Sequence, residues 1–160
     1  MPENGVETVI DRVDQQLKSV AFLTKTKVMV GVPSNTNARN GPMNNAAIGY
    51  IQHFGSPAQN IPARPWLYPA VNAMQDKAAA MLEKAACLVF DGKTEEAENA
   101  LNALGLLAVA EIQKYIVSSP FKPLASSTLA RRKRLGHTST KPLLDTYSFW
   151  RSISYVVRKQ

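Results

Sequence analysis

The run VNAMQDKAAAMLEKAACLVFDGKTEEAENALNALGLLAVAEIQKYIVSSP, Val71 to Pro120, decides the fold class. In its first half Val71, Met74, Ala78, Met81, Leu82 and Ala85 recur at three and four residues, the repeat of one helical face. Asp91-Gly92-Lys93 interrupts the pattern, and Thr94 with Glu95 and Glu96 opens a second helix with acids on its positive end. There Leu101, Leu104, Ala108, Ile112 and Ile116 line one side until Ser118-Ser119-Pro120, where proline forbids continuation. The expectation is an antiparallel hairpin of two long helices.

Toward the N-terminus, Val6, Val9, Ile10, Val13, Leu17 and Val20 keep the same helical period, with Asn4 as N-cap and Glu7 three residues on. Lys25 to Val32, KTKVMVGV, is short and β-branched and reads as a strand stopped by Pro33, followed by a long, mobile polar loop. Asn45 to Phe54 reads as a short helix presenting Ile48, Ile51 and Phe54, closed by Gly55 where a left-handed residue is required. Prolines 57, 62, 65 and 69 then fix an extended path with Trp66 and Leu67 as apolar anchors. Beyond the hairpin, Ser126 to Leu135 reads as a basic helix, Gly136 to Thr140 as a flexible tip, and Ile153 to Arg158 as a final alternating strand. Strands at both ends of a helical middle pair most simply with each other. The class is therefore α+β, a small antiparallel sheet packed against a long helical hairpin and shorter helices, in one domain over residues 1–160.

Composition is that of a chain able to build a core: 160 residues, 45% apolar and 19% charged. The opening MPENGVETVIDRVDQQ lacks the basic start and apolar run of a signal peptide, and no stretch holds 18 unbroken apolar residues. Neither that secretion route nor a membrane span is expected. Cys87, the one cysteine, sits in the apolar run AACLVF, which excludes an intrachain disulfide and reads as a buried thiol. The net charge of +7 is uneven: Met1 to Val117 has 10 basic and 11 acidic residues, whereas Ser118 to Gln160 has 9 basic residues against Asp145 alone. Such asymmetry points to an acidic partner, reached through a field that salt weakens.

Little in the sequence serves catalysis. A nucleophile with an oriented base, or paired carboxylates, is not evident around His53 or His137, so no catalytic residues are assigned. His53, at a helix end, reads as a packing or capping group, and His137 as solvated in its glycine-bounded tip. One cysteine and two distant histidines give no metal site, and no glycine-rich phosphate loop implies a cofactor. Arg131-Arg132-Lys133-Arg134 would form a broad positive collar, for phosphates or for a protein partner, without interleaved aromatics for base stacking.

Two blocks carry a resemblance. One is Asn45-Ala-Ala-Ile-Gly-Tyr-Ile-Gln-His-Phe-Gly55 followed by Ile61-Pro-Ala-Arg-Pro-Trp-Leu-Tyr-Pro-Ala70; the other is Pro123-Leu-Ala125 to Arg131-Arg-Lys133, then Lys141-Pro-Leu-Leu-Asp-Thr146 to Arg151-Ser-Ile153. Together they span about a third of the chain and resemble the tailed-phage virion-morphogenesis, or tail-completion, family. Gln52 and Trp66 replace the commoner acid and phenylalanine, and Tyr147 stands where glycine is usual. The resemblance implies a virion part made in the host bacterial cytoplasm, a subunit that forms a ring, six-fold by family analogy, between head and tail. Its partners would be itself, other neck, connector or tail-tube proteins, and DNA in the channel without sequence preference. Phe54, Arg64, Pro65, Trp66, Leu67 and Tyr68 are the candidate subunit interface, Arg131, Arg132, Lys133 and Arg134 the basic contact patch, and Gly55, Asp145 and Thr146 structural turn residues. Arg64 is expected to meet a carboxylate, within the fold or across an interface, and Asp145 to cap the helix before the last strand. The competing reading is an accessory protein that holds nucleic acid through its basic last quarter.

Overall fold

The structure, a computed structural model, describes residues 4–34 and 43–160, with side chains from residue 12 onward. In chain order the elements are α1 (Asn4–Lys25), β1 (Thr26–Gly31), α2 (Asn45–Phe54), α3 (Tyr68–Ala73), α4 (Gln75–Phe90), α5 (Thr94–Ser118), α6 (Ser126–Arg134), α7 (Ser148–Arg151) and β2 (Ser154–Lys159). The strands β1 and β2 form a two-stranded antiparallel sheet, so the fold is α+β with a long helix. The expected loop after Pro33 falls largely on residues 35–42, and the Asn4–Glu7 capping pair on side chains before residue 12, both outside the described set.

The chain forms two compact units. The first comprises Met1–Met29, Gln75–Leu106 and Val156–Gln160. In it α1 lies against α4, and the Ser19 hydroxyl, buried, donates to the carbonyls of Gln15 and Val89 at 3.0 Å each. Helix α4 ends in a two-bond cap: Gly92 N–H reaches the Val89 carbonyl at 3.0 Å and Lys93 N–H reaches Leu88 at 2.8 Å. Gly92 sits at φ 78°, which a Cβ would oppose, so the turn joining α4 to α5 depends on this glycine. The core here is Ala85, Val89, Ala97, Leu101 and Leu104.

Two expectations change in this unit. Of the apolar stripe of α1, Val13, Leu17 and Val20 are exposed by 53%, 63% and 48%, and among the described side chains of the helix the buried one is the polar Ser19. Cys87 is also exposed, because Ala85 and Val89 take the inward face of α4 and a residue two positions from each points away.

The second unit comprises Val30–Met74 and Leu107–Tyr155. Its core gathers Trp66, Ala70, Ile112, Ile116, Leu144, Phe149 and Ile153. Pro69, in the first turn of α3, starts that helix; it stops at Met74, whose backbone turns to φ −103°, so the helix expected to run on from Val71 is two helices. α5 supplies Ile112 and Ile116 to this core; by length and composition it is apolar enough to cross a membrane, and a third of its apolar window is buried.

Helix α2 starts at Asn44, whose side-chain oxygen accepts the Ala47 N–H at 2.8 Å, and ends at Gly55. At its centre, a Cβ on Gly49 would stand 2.8 Å from the Phe149 ring and 3.2 Å from Trp66. The Trp66 indole N–H donates to the Gly49 carbonyl at 2.9 Å, and the Trp66 and Phe149 rings meet edge to face at 5.1 Å. Gly49→Val is therefore expected to lower the unfolding free energy by about 1–3 kcal/mol through overpacking. The check is the urea midpoint, compared with Gly31→Val, where an added side chain meets no atom within 4 Å; equal midpoints would mean that α2 does not pack this way.

Candidate interaction surface

The segment from Gln52 to Tyr68 is held by its own chain. Gly55, at φ 79°, accepts no Cβ because Ala63 N would lie 2.8 Å away. Ser56 and Ile61 exchange both backbone hydrogen bonds, at 2.9 and 3.0 Å, around a one-turn 3₁₀ helix over Pro57–Gln59, and Arg64 N–H closes onto the Gln52 carbonyl at 2.7 Å. These bonds add a hydrogen-bonded turn to the path that the prolines constrain.

Arg64 is 4% exposed, so its side chain is a fold element before it is a surface. Its Nε donates to the Lys122 carbonyl at 3.1 Å, Nη1 to the Gln52 Oε1 at 3.0 Å and Nη2 to the Pro123 carbonyl at 3.4 Å. The expected carboxylate partner is not found among the described residues. Gln52, standing where the resembled pattern has an acid, supplies a neutral oxygen in its place. Trp66 is likewise buried, whereas Pro65 and Tyr68 are exposed and Leu67 is half-buried.

His53 packs among Phe54, Trp66 and Tyr68, its ring centroid 4.7, 6.0 and 4.6 Å from theirs. Its Nδ1 accepts the Leu67 N–H at 3.4 Å, just before α3 begins. Burial lowers its pKa, so the folded chain holds it neutral. Outside this packed layer Tyr50, Phe54 and Tyr68 remain 68%, 51% and 57% exposed, with Phe54 4.8 Å from Tyr50 and 6.2 Å from Tyr68. Tyr50 was missed in the sequence; its place one turn before Phe54 on the same helix face was the available signal.

The basic run divides. Arg132 is buried; its Nη1 donates to the carbonyls of Ser139 at 2.8 Å and Lys141 at 2.9 Å, and its Nε faces Asp145 Oδ1 at 3.2 Å. Arg131, Lys133 and Arg134 are exposed. His137, expected in solvent, stands with Nδ1 2.7 Å from the same Asp145 oxygen. Asp145 thus ties α6 to the following loop instead of capping α7. Tyr147 occupies the cap position of α7, and the Ser148 N–H reaches Thr146 Oγ1 at 3.4 Å. Leu143 and Tyr147 flank this knot at φ 64° and 59°, a left-handed backbone that costs a residue with a Cβ about 1–2 kcal/mol.

No family model, curated protein or solved structure matches the chain. Among the described residues no three His, Cys, Asp or Glu side chains are grouped to hold a metal ion.

Two outcomes follow for this surface. Arg132→Ala leaves two carbonyls without their donor and Asp145 without its arginine, and should cost about 1–3 kcal/mol, whereas alanine at Arg131, Lys133 or Arg134 should stay within about 0.5 kcal/mol; thermal melts of the four variants decide it. For His53, the folded pKa lies below the unfolded value of 6.5, so unfolding takes up a proton as pH falls below it. The stability that neutral His53 contributes is complete above that pH and is lost as pH falls through the folded pKa. His53→Asn, which keeps an acceptor for Leu67, should flatten the decline of the urea midpoint between neutral and mildly acidic pH; an unaltered slope would assign that decline to other groups.

Proposed function

We propose that this chain is a non-enzymatic subunit of the neck of a tailed bacteriophage, assembling into a ring that completes the tail and joins it to the head. The observation that carries this reading is apolar surface left uncovered in each unit. In one, the stripe Val13, Leu17 and Val20 of α1 faces solvent; in the other, Tyr50, Phe54 and Tyr68 pack on one another and stay open. Monomeric proteins rarely expose contiguous apolar patches, and clustered aromatics are the commonest anchors of protein interfaces.

The resemblance supports the same reading through its residues. Gly55 needs its positive φ, and Tyr147, where the resembled pattern has glycine, is itself left-handed. A backbone that asks for glycine at that position gives the pattern a physical reason. On this reading the chain resides in the virion neck, made in the host cytoplasm, with its own copies and neighbouring connector or tail-tube proteins as partners. A six-fold ring is carried by resemblance alone.

The second reading, a nucleic-acid-binding accessory protein, draws on the exposed Arg131, Lys133 and Arg134 of α6. Light scattering on the purified chain over a range of protein and salt concentrations separates the two. A discrete multiple of 17.5 kDa, indifferent to added DNA, is the expected result. A monomer that binds DNA with an affinity falling steeply with salt would replace the ring reading by the accessory one.

A further inference from the structure

Two arginines are buried in the unit that carries the candidate surface, and they differ in one respect. Arg132 has a carboxylate, Asp145, at 3.2 Å; Arg64 has none within ion-pair distance among the described residues. A guanidinium carries five N–H groups, and Arg64 uses three, all on neutral oxygens. A buried cation with two donors to spare and no counter-ion among the described residues is an unfinished ion pair.

Arg64 lines an open groove of about 920 Å³. Lys122 and Arg131 line it too, no acidic residue among the described ones does, and Phe54, Ile61 and Pro62 give it apolar walls. The chain itself carries a surface of opposite sign. Asp91, Glu95 and Glu96 are exposed about the turn from α4 to α5, where Lys93 is the accompanying cation, 4.0 Å from Glu96. Asp91 and Glu95 have no cationic partner among the described residues.

Resting on the ring reading above, we infer that the groove at Arg64 receives the acidic α4–α5 turn of a second copy of this chain. One carboxylate takes the free N–H groups of Arg64, and Lys122 and Arg131 face the other acids. Groove and turn are different patches, so each copy engages two neighbours head to tail, the arrangement a ring needs. A phosphate backbone fits less well, because the central cation is buried beside apolar walls, where a single carboxylate side chain reaches and a polymer of phosphates meets mainly the rim.

The test reverses charge on each side in the full chain: Glu95→Lys/Glu96→Lys on the turn, Lys122→Glu/Arg131→Glu on the groove, and all four together. Light scattering at low ionic strength reads self-association, and circular dichroism checks that each variant is folded. Each pair alone should weaken association by about ten-fold or more, and the four together should restore it toward the native value. If a reversal fails to fold, alanine at the same positions should still weaken association several-fold. A native multimer that neither pair disturbs overturns the contact and leaves the ring reading standing. A native chain that stays at 17.5 kDa throughout overturns the contact and removes the ring's support in solution. Loss of duplex DNA binding on groove reversal, without any change in mass, overturns it in favour of nucleic acid.

Discussion

A methyl group on Gly49 would press into the Phe149 ring at 2.8 Å and approach Trp66 at 3.2 Å, and the candidate surface depends on that narrow space. Because α2 has no side chain there, the Trp66 indole lies against its backbone, donates to the Gly49 carbonyl and turns an edge to Phe149. Trp66 is two residues from Arg64, and fixing the one holds the other. The same anchoring sets the end of α2, where Phe54 and Tyr50 are left outside while His53 is drawn in under them. An aromatic cluster on a rigid support loses little side-chain entropy on binding, so an interface built on it starts organised.

Elements whose signal is local were legible. The bounds of α2 and α6 and the glycine turn after α4 follow from helical period, from Gly55 and Gly92, and from proline, all of which act within a few residues. What periodicity does not carry is which face of an amphipathic element finds a neighbour. The apolar stripe of α1 is a real helical stripe, but Ser19 is the residue set against α4. Cys87 failed for the same reason: an apolar run of six says nothing about which two positions point inward.

The polar errors have a different origin. Arg131 to Arg134 are adjacent in sequence, and only the pairing of Arg132 with Asp145, across the turn after α6, decides that one of four cations is structural. That partner lies 13 positions away, beyond any helix or turn rule. His137 was drawn to the same oxygen, and the carboxylate that looked like a helix cap is the centre of a small, half-buried network. Arg64 is the reverse case: its local motif was visible, and its surroundings, three neutral oxygens where a carboxylate was expected, were not.

Burial in the first unit bears on why such a chain would assemble at all. Its core residues are Ala85, Val89, Ala97, Leu101 and Leu104, and the two alanines have little apolar area to remove from water. Five further large apolar side chains of the same unit, Val13, Leu17, Val20, Leu82 and Phe90, are exposed, while Phe22, Leu23, Met81 and Leu88 are half-buried. A unit arranged this way gains its remaining hydrophobic stabilisation only when something covers that surface, and any partner that binds the folded form alone raises its stability by mass action. Folding and assembly would then be coupled on the ring reading, since apolar surface left open in the isolated unit would add its burial to the polar contact that orients the copies.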